Sequence, residues 1–123
     1  GQDLLRLKDY VDNNNIDSIK VDYFGGSVPD YYIPQSVEWH SSYGPTTGWL
    51  AISATYYQSS KLYGEKEGKW SYGWLDNYKP TAEIGGSILV FHITSKDLNE
   101  NPPVSNYPIT HFDTPGSISV YGN

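Results

Sequence analysis

Residues Gly48–Gln58 read GWLAISATYYQ, and the fold is read outward from them. Turn residues precede the run (Gly44, Pro45, Gly48) and β-formers fill it. Side chains alternate faces along an extended chain. Trp49, Ala51, Ser53, Thr55 and Tyr57 then point one way, and Leu50, Ile52, Ala54 and Tyr56 the other. Both sets are apolar or small, which predicts a central strand covered on both sides rather than an amphipathic edge. Ser87–Ile93 (SILVFHI) has the same character, and the pair predicts the spine of one sheet.

The flanks predict the rest. Asp3–Asn13 carries Leu4, Leu7 and Val11 at helical spacing. Asp3 suits the first turn, and the run Asn13-Asn14-Asn15 suits a left-handed helix end. Ile16–Phe24 alternates as a strand, from Ile19 in particular, and Gly25-Gly26 breaks it. Residues 27–45 read as a long connection, pinned by Tyr31, Tyr32, Trp39 and Tyr43. Residues 59–69 (SSKLYGEKEGK) are polar and read as an exposed, mobile loop. Trp70–Tyr78 reads as a short helix stopped before Pro80. Glu83–Ile93 contains a third strand, with Gly85-Gly86 marking a bulge or a strand start.

The expectation is therefore an α/β domain over residues 1–94: a small three- to four-stranded, mostly parallel sheet with helices packed on it. Residues 95–123 are rich in Pro, Asn and Ser and read as a largely extended tail, with Ile118 and Val120 as a short edge strand. A strand ahead of Gly1 would complete a βαβ unit with the first helix. Because the chain starts at Gly1 and enters a helix almost at once, it is expected to be a piece of a longer protein.

Composition excludes several functions. With 123 residues the chain suits one domain with a modest core. Twelve Tyr and four Trp supply much of its apolar area, since Met and Cys are absent and Phe is sparse. The net charge of -6, with eight scattered Lys and Arg, argues against nucleic acid and anionic lipid as partners. Lack of Cys removes disulfides, thiol nucleophiles and Cys-type zinc sites. No window approaches a membrane span of about 20 apolar residues.

Candidate chemistry is sparse. His40, His92 and His111 share no metal-ligand spacing, and His92 reads as a packed strand residue; no metal or cofactor is expected. Asp22, Asp30 and Glu38 are the carboxylates that a glycosidase reading would use, although surface placement is the default in an acidic chain. Gly25-Gly26-Ser27 reads as a tight turn rather than a phosphate cradle. No nucleophile elbow is present. Among the aromatics, Trp49 and Trp74 are assigned to packing. Tyr31, Tyr32, Trp39 and Trp70 fall in loops or at element ends, where a ring either stacks on a sugar or fastens the loop.

Four segments together carry a resemblance: GQDLLRLKDYVDNN, DYFGGSVPDYYIP, GWLAISATYYQ and YGWLDNYKPTAEIGGSILVFHI. In order and spacing they are similar to the soluble C-terminal region of polytopic membrane glycosyltransferases of the dolichyl-phosphate-mannose protein mannosyltransferase and aminoarabinose transferase-like family. The first of these segments usually follows an Asp-Trp pair there. The resemblance covers residues 1–94 and leaves the tail unexplained. It implies an accessory, extracytoplasmic domain of an enzyme that takes a sugar from a lipid-phosphate donor. The family's catalytic acidic residues belong to an earlier loop between membrane helices, so no catalytic residue is assigned here.

The resemblance further implies tethering at the outer face of the membrane and contact with the membrane-embedded part of the parent protein. The expected role is to cover the active site, or to bind a glycan or protein acceptor through loop aromatics. The rivals are a structural or interaction domain without a ligand, and a free-standing hydrolase using Asp30 or Glu38. Binding requires a concave surface with at least two exposed rings. The interaction reading requires a flat apolar patch or an open strand edge. The hydrolase requires two carboxylates in one cleft, one with a raised pKa.

Overall fold

In the structure, a computed structural model, residues 2–23 and 31–103 are described, except for the side chains of 65–67. The expected turn at Gly25-Gly26, the candidate Asp30, His111 and the tail from residue 104 lie outside the described residues.

Gly48–Ser53 forms the central strand, β3. Its neighbour on one side is β1, Ile19–Asp22, in parallel; on the other it is β5, Ile88–Ile93, antiparallel. Two short strands close the edges. Ser36–Glu38 (β2) pairs parallel with β1, and Ala82–Ile84 (β4) pairs antiparallel with β5. The order is β2-β1-β3-β5-β4. The α/β class is as the sequence predicts, and β3 with β5 is its spine. Among the described residues the edge strands raise the strand number to five. The pairings divide into a parallel half around β1 and an antiparallel half around β5.

Helix α1, Gln2–Asn13, packs Leu7 and Val11 on one face of the sheet against Ile19, Val21, Ala51, Ile88 and Val90. It ends as the asparagine run predicts. Asn15 is left-handed (φ 52°), Ile16 N–H donates to Val11 O at 3.1 Å, and Asn15 N–H to Asp12 O at 3.3 Å. These bonds satisfy terminal carbonyls, and Ile16 buries beside Val11. The Ser87 hydroxyl donates to Asp3, which ties the helix start to the β4–β5 turn. Gly85 and Gly86 both have positive φ there (59° and 87°), so they form a hairpin turn rather than a bulge. A Cβ on Gly85 would overlap the Asp3 carboxylate.

The other face differs from expectation. Only half of Gly48–Gln58 is strand. At Ser53 the chain turns into α2, Ala54–Glu67, which replaces the expected mobile loop. Ser53 Oγ accepts from Tyr56 N–H at 3.1 Å, an N-terminal cap. Gly68 (φ 68°) ends the helix, with Lys69 N–H donating to Gly64 O at 2.9 Å. A tight 3₁₀ segment, Tyr72–Asn77, follows and buries Tyr72, Trp74 and Leu75 against Leu50, Ile52 and Phe91. Ser95–Glu100, expected as extended tail, is a short helix, α3. Thr94 caps it through Asp97 N–H, while Asp97 accepts from Thr94 N–H. Among the described residues no helix is long and apolar enough to cross a membrane.

Candidate functional site

The chain leaves the end of β1 towards β2, and the end of β3 in the opposite direction, towards β5 and β4. Where neighbouring parallel strands part in this way, a crevice opens beyond their C-terminal ends. A cleft of about 350 Å³ occupies that place, within the size range of small-molecule sites. The end of β1 contributes Val21, Asp22 and Tyr23. The end of β2 and the residues after it contribute Glu38, Trp39, His40 and Ser41. The opposite wall is α2, with Tyr56, Ser59, Ser60 and Tyr63.

Each side chain is placed by its element. Asp22 is the last residue of β1, and alternation turns it towards the α2 face. It is only 8% exposed. Tyr72, buried in the 3₁₀ segment, donates its hydroxyl to Asp22 Oδ2 at 2.7 Å. Burial pushes the Asp22 carboxyl above the usual carboxylate range; the Tyr72 bond and the nearby His40 oppose this, and Glu38 adds to it. The same burial, together with Asp22, pushes the Tyr72 phenol up, so it stays a donor. Oδ1 of Asp22 has no donor among the described residues.

The register fixes the second group. Trp39 N–H donates to Val21 O at 3.1 Å, extending the β1–β2 ladder by one residue past β2. Glu38 and His40 flank it, with His40 Nε2 3.3 Å from Glu38 Oε2. Tyr43 sets its ring edge-to-face against both Trp39 (5.0 Å) and His40 (5.3 Å). Lys20 Nζ lies 5.4 Å from the centre of the Trp39 ring and donates to Thr47 O at 2.8 Å. On α2, Ser60 Oγ donates to Tyr57 O at 3.1 Å and accepts from Tyr72 N–H at 3.0 Å, which joins the helix to the 3₁₀ segment.

The four rings predicted to bind are not brought together. Trp39 lines the cleft. Trp70 is half-buried on the same face of the sheet, where a Cβ on Gly44 would sit 3.2 Å from its ring. Tyr32 is half-buried against the α1 face, across the sheet, and Tyr31 is 87% exposed. Trp39 instead shares the cleft with Tyr23, Tyr56 and Tyr63, the last 63% exposed on α2. Sequence reasoning placed Tyr56 inside a strand and Tyr63 in a loop. The cap at Ser53 and the stop at Gly68 are the local signals that would have recovered them.

Of the carboxylates, Asp22 and Glu38 meet in the cleft. Trp49 and Trp74 pack as expected, and His92 stacks on Trp49 at 4.1 Å with an interplanar angle of 2°. Among the described residues no three His, Asp or Glu side chains gather as metal ligands. The cleft contains donors, acceptors and ring faces suited to polyhydroxylated molecules, and among the described residues no Lys or Arg lines it. No protein-family model, curated protein or solved structure matches the chain.

Proposed function

We propose that this chain is a glycan-binding accessory domain of a membrane glycosyltransferase that uses a lipid-phosphate sugar donor. In this reading it sits at the extracytoplasmic face, tethered through the rest of the parent protein, and transfers nothing by itself. The resemblance of its four segments supports the family. The convergence of Trp39, Tyr56 and Tyr63 with Asp22 and Glu38 in one cleft carries the binding role. Rings offer flat apolar faces to the C–H faces of a sugar, and carboxylates accept from its hydroxyls.

The test is a titration of the isotope-labelled domain with mono- and oligosaccharides, followed through amide and indole resonances. The expected result is saturable shifts at Trp39 and along the start of α2. An absence of shifts at millimolar sugar overturns glycan binding and favours a ligand-free interaction domain, for which β2, an edge strand among the described residues with Val37 exposed, is the candidate surface.

One observation favours a second reading, glycoside hydrolysis: two carboxylates share the cleft and burial raises one of them. Release of nitrophenol from aryl glycosides, lost in Glu38→Gln, would establish it. Binding without release leaves the accessory role.

A further inference from the structure

We infer that the cleft takes a polyhydroxylated ligand free of negative charge, and that Asp22 is the residue that sets this choice. The inference rests on the glycan-binding reading and narrows it to one chemical class of sugar.

Three observations lead to it. First, among the described residues the charged groups on the cleft wall are Asp22 and Glu38, with His40 beside Glu38 at 3.3 Å. Lys20, whose Nζ lies 5.4 Å from the Trp39 ring centre, donates to Thr47 O, and Lys61 pairs with Asp76 at 3.0 Å. A phosphate or uronate entering the cleft would meet carboxylates in a partly desolvated space whose wall, among the described residues, holds no guanidinium or ammonium. Second, Asp22 is built in rather than incidental. Tyr72 grips Oδ2 from beneath, across 50 residues of sequence, and the carboxylate is kept in a buried place that raises its free energy. An acceptor whose second oxygen has no donor among the described residues suits a ligand that brings donors. Third, Asp22 stands at the strand end where the crevice opens, and the Trp39 ring follows Glu38 on the adjacent strand. A sugar ring against Trp39 would present its hydroxyl edge to carboxylates on both strands.

Applied to the proposed function, this chemistry selects for the uncharged part of a reaction mixture. A sugar still bearing its phosphate is excluded from the cleft, and a neutral glycan is admitted. The domain therefore recognises acceptor or product rather than the charged donor head.

The experiment compares a methyl hexopyranoside with the matching hexose 6-phosphate, each titrated into wild-type protein and into Asp22→Asn, Tyr72→Phe and Trp39→Ala. Heteronuclear spectra check that each variant is folded. For wild type, the phosphate is expected to bind about tenfold more weakly than the neutral sugar, or worse. Asp22→Asn keeps the shape and the bond from Tyr72, yet is expected to weaken the neutral sugar about tenfold and to narrow the gap to the phosphate. Tyr72→Phe leaves the carboxylate but removes its anchor, for an intermediate loss of a few-fold. Trp39→Ala is expected to weaken both sugars together.

Equal affinity for the two sugars in wild type overturns the charge selection while leaving glycan binding intact. Unchanged discrimination in Asp22→Asn overturns the role of Asp22. If neither sugar binds wild type, both the inference and the reading beneath it fall.

Discussion

The two faces of the sheet are built from different chemistry. On the α1 face, Leu7, Val11, Ile19, Val21, Ile88 and Val90 interlock as branched aliphatics. On the α2 face the buried set includes Tyr57, Tyr72, Trp74 and Phe91, with Ser60 and Ser71 making the joints. Aliphatic side chains carry no polar atoms and close on one another. Tyrosines bring hydroxyls that need partners, and each partner is a carboxylate or carbonyl held nearby: Tyr72 on Asp22, Tyr57 on Asp76, Tyr78 on Asn101 O. The face that imports polar groups in this way is also the face that opens a cleft. The closed face supplies rigidity, and the aromatic face places acceptors and rings where a ligand can reach them.

The sharpest way to break this contrast is to cut each face once. Trp74→Ala removes the largest fully buried side chain and should cost about 3–5 kcal/mol. Leu7→Ala on the closed face should cost about 2–5 kcal/mol. Urea unfolding reads both. Against a total stability of about 5–15 kcal/mol, either loss is severe. If Trp74→Ala proves the milder by a clear margin, the aromatic face is not a true core and the contrast as drawn fails.

Next in size is the contact of α2 with its neighbours. Gly64 is buried, and a Cβ there would lie 3.0 Å from Ser71 Cβ and 3.1 Å from Trp70 O. One of those atoms is backbone, so the approach has little give. Gly64→Leu is expected to cost about 1–3 kcal/mol by overpacking, despite the better helix propensity of leucine. Because the displaced helix carries Tyr56, Ser59 and Tyr63, saccharide binding should fall with stability. A stable Gly64→Leu variant would show that α2 is free to shift.

These positions also explain what was legible in the sequence. Helix α1 has its aliphatic stripe, and β3 and β5 are apolar on both faces, so each could be read from spacing alone. Among the described side chains of α2 the buried positions are Tyr57 and Gly64, whereas Leu62 is 67% exposed and Tyr63 reaches solvent from the cleft wall. With a tyrosine and a glycine inside and a leucine outside, the helix lacks the usual aliphatic stripe, and such a stretch reads as a loop. Edge strands β2 and β4 are three residues each, too short for a period to register. For the site, Trp39 was legible as a ring outside the core elements. Asp22 was legible only as a carboxylate on a strand, since its burial comes from Tyr72, a partner that only the tertiary fold brings near.

A smaller effect isolates Asp22 through pH. Its folded-state pKa is raised, chiefly by burial, so the folded protein holds this proton more tightly than the unfolded chain does. Its contribution to stability is therefore full below the ordinary carboxylate pKa of about 4 and is lost as pH rises through the raised value. Asp22→Asn keeps an acceptor for Tyr72 and carries no charge. It is expected to melt at a higher temperature than wild type at neutral pH, with the gap closing as the pH approaches about 4. Such a gain, accompanied by weaker sugar binding, would mark Asp22 as held in place for function at the expense of stability. A variant less stable than wild type at neutral pH would show that the carboxylate is structural.

The smallest effect tests whether α3 belongs to the aromatic face. Leu98 packs against that face, and the Tyr78 hydroxyl donates to Asn101 O at the helix end. A six-residue helix has little stability of its own and relies on its cap and its docking. Thr94→Ala removes the acceptor for Asp97 N–H, 3.0 Å away, and should cost about 1 kcal/mol. If α3 is part of the cooperative core, that loss appears in the midpoint of global unfolding. If it is only laid on the surface, the variant frays locally, and amide exchange accelerates at Asp97 and Leu98 while the global midpoint stays where it was. The first result would extend the aromatic face by one element beyond β5, and the second would end it at Ile93.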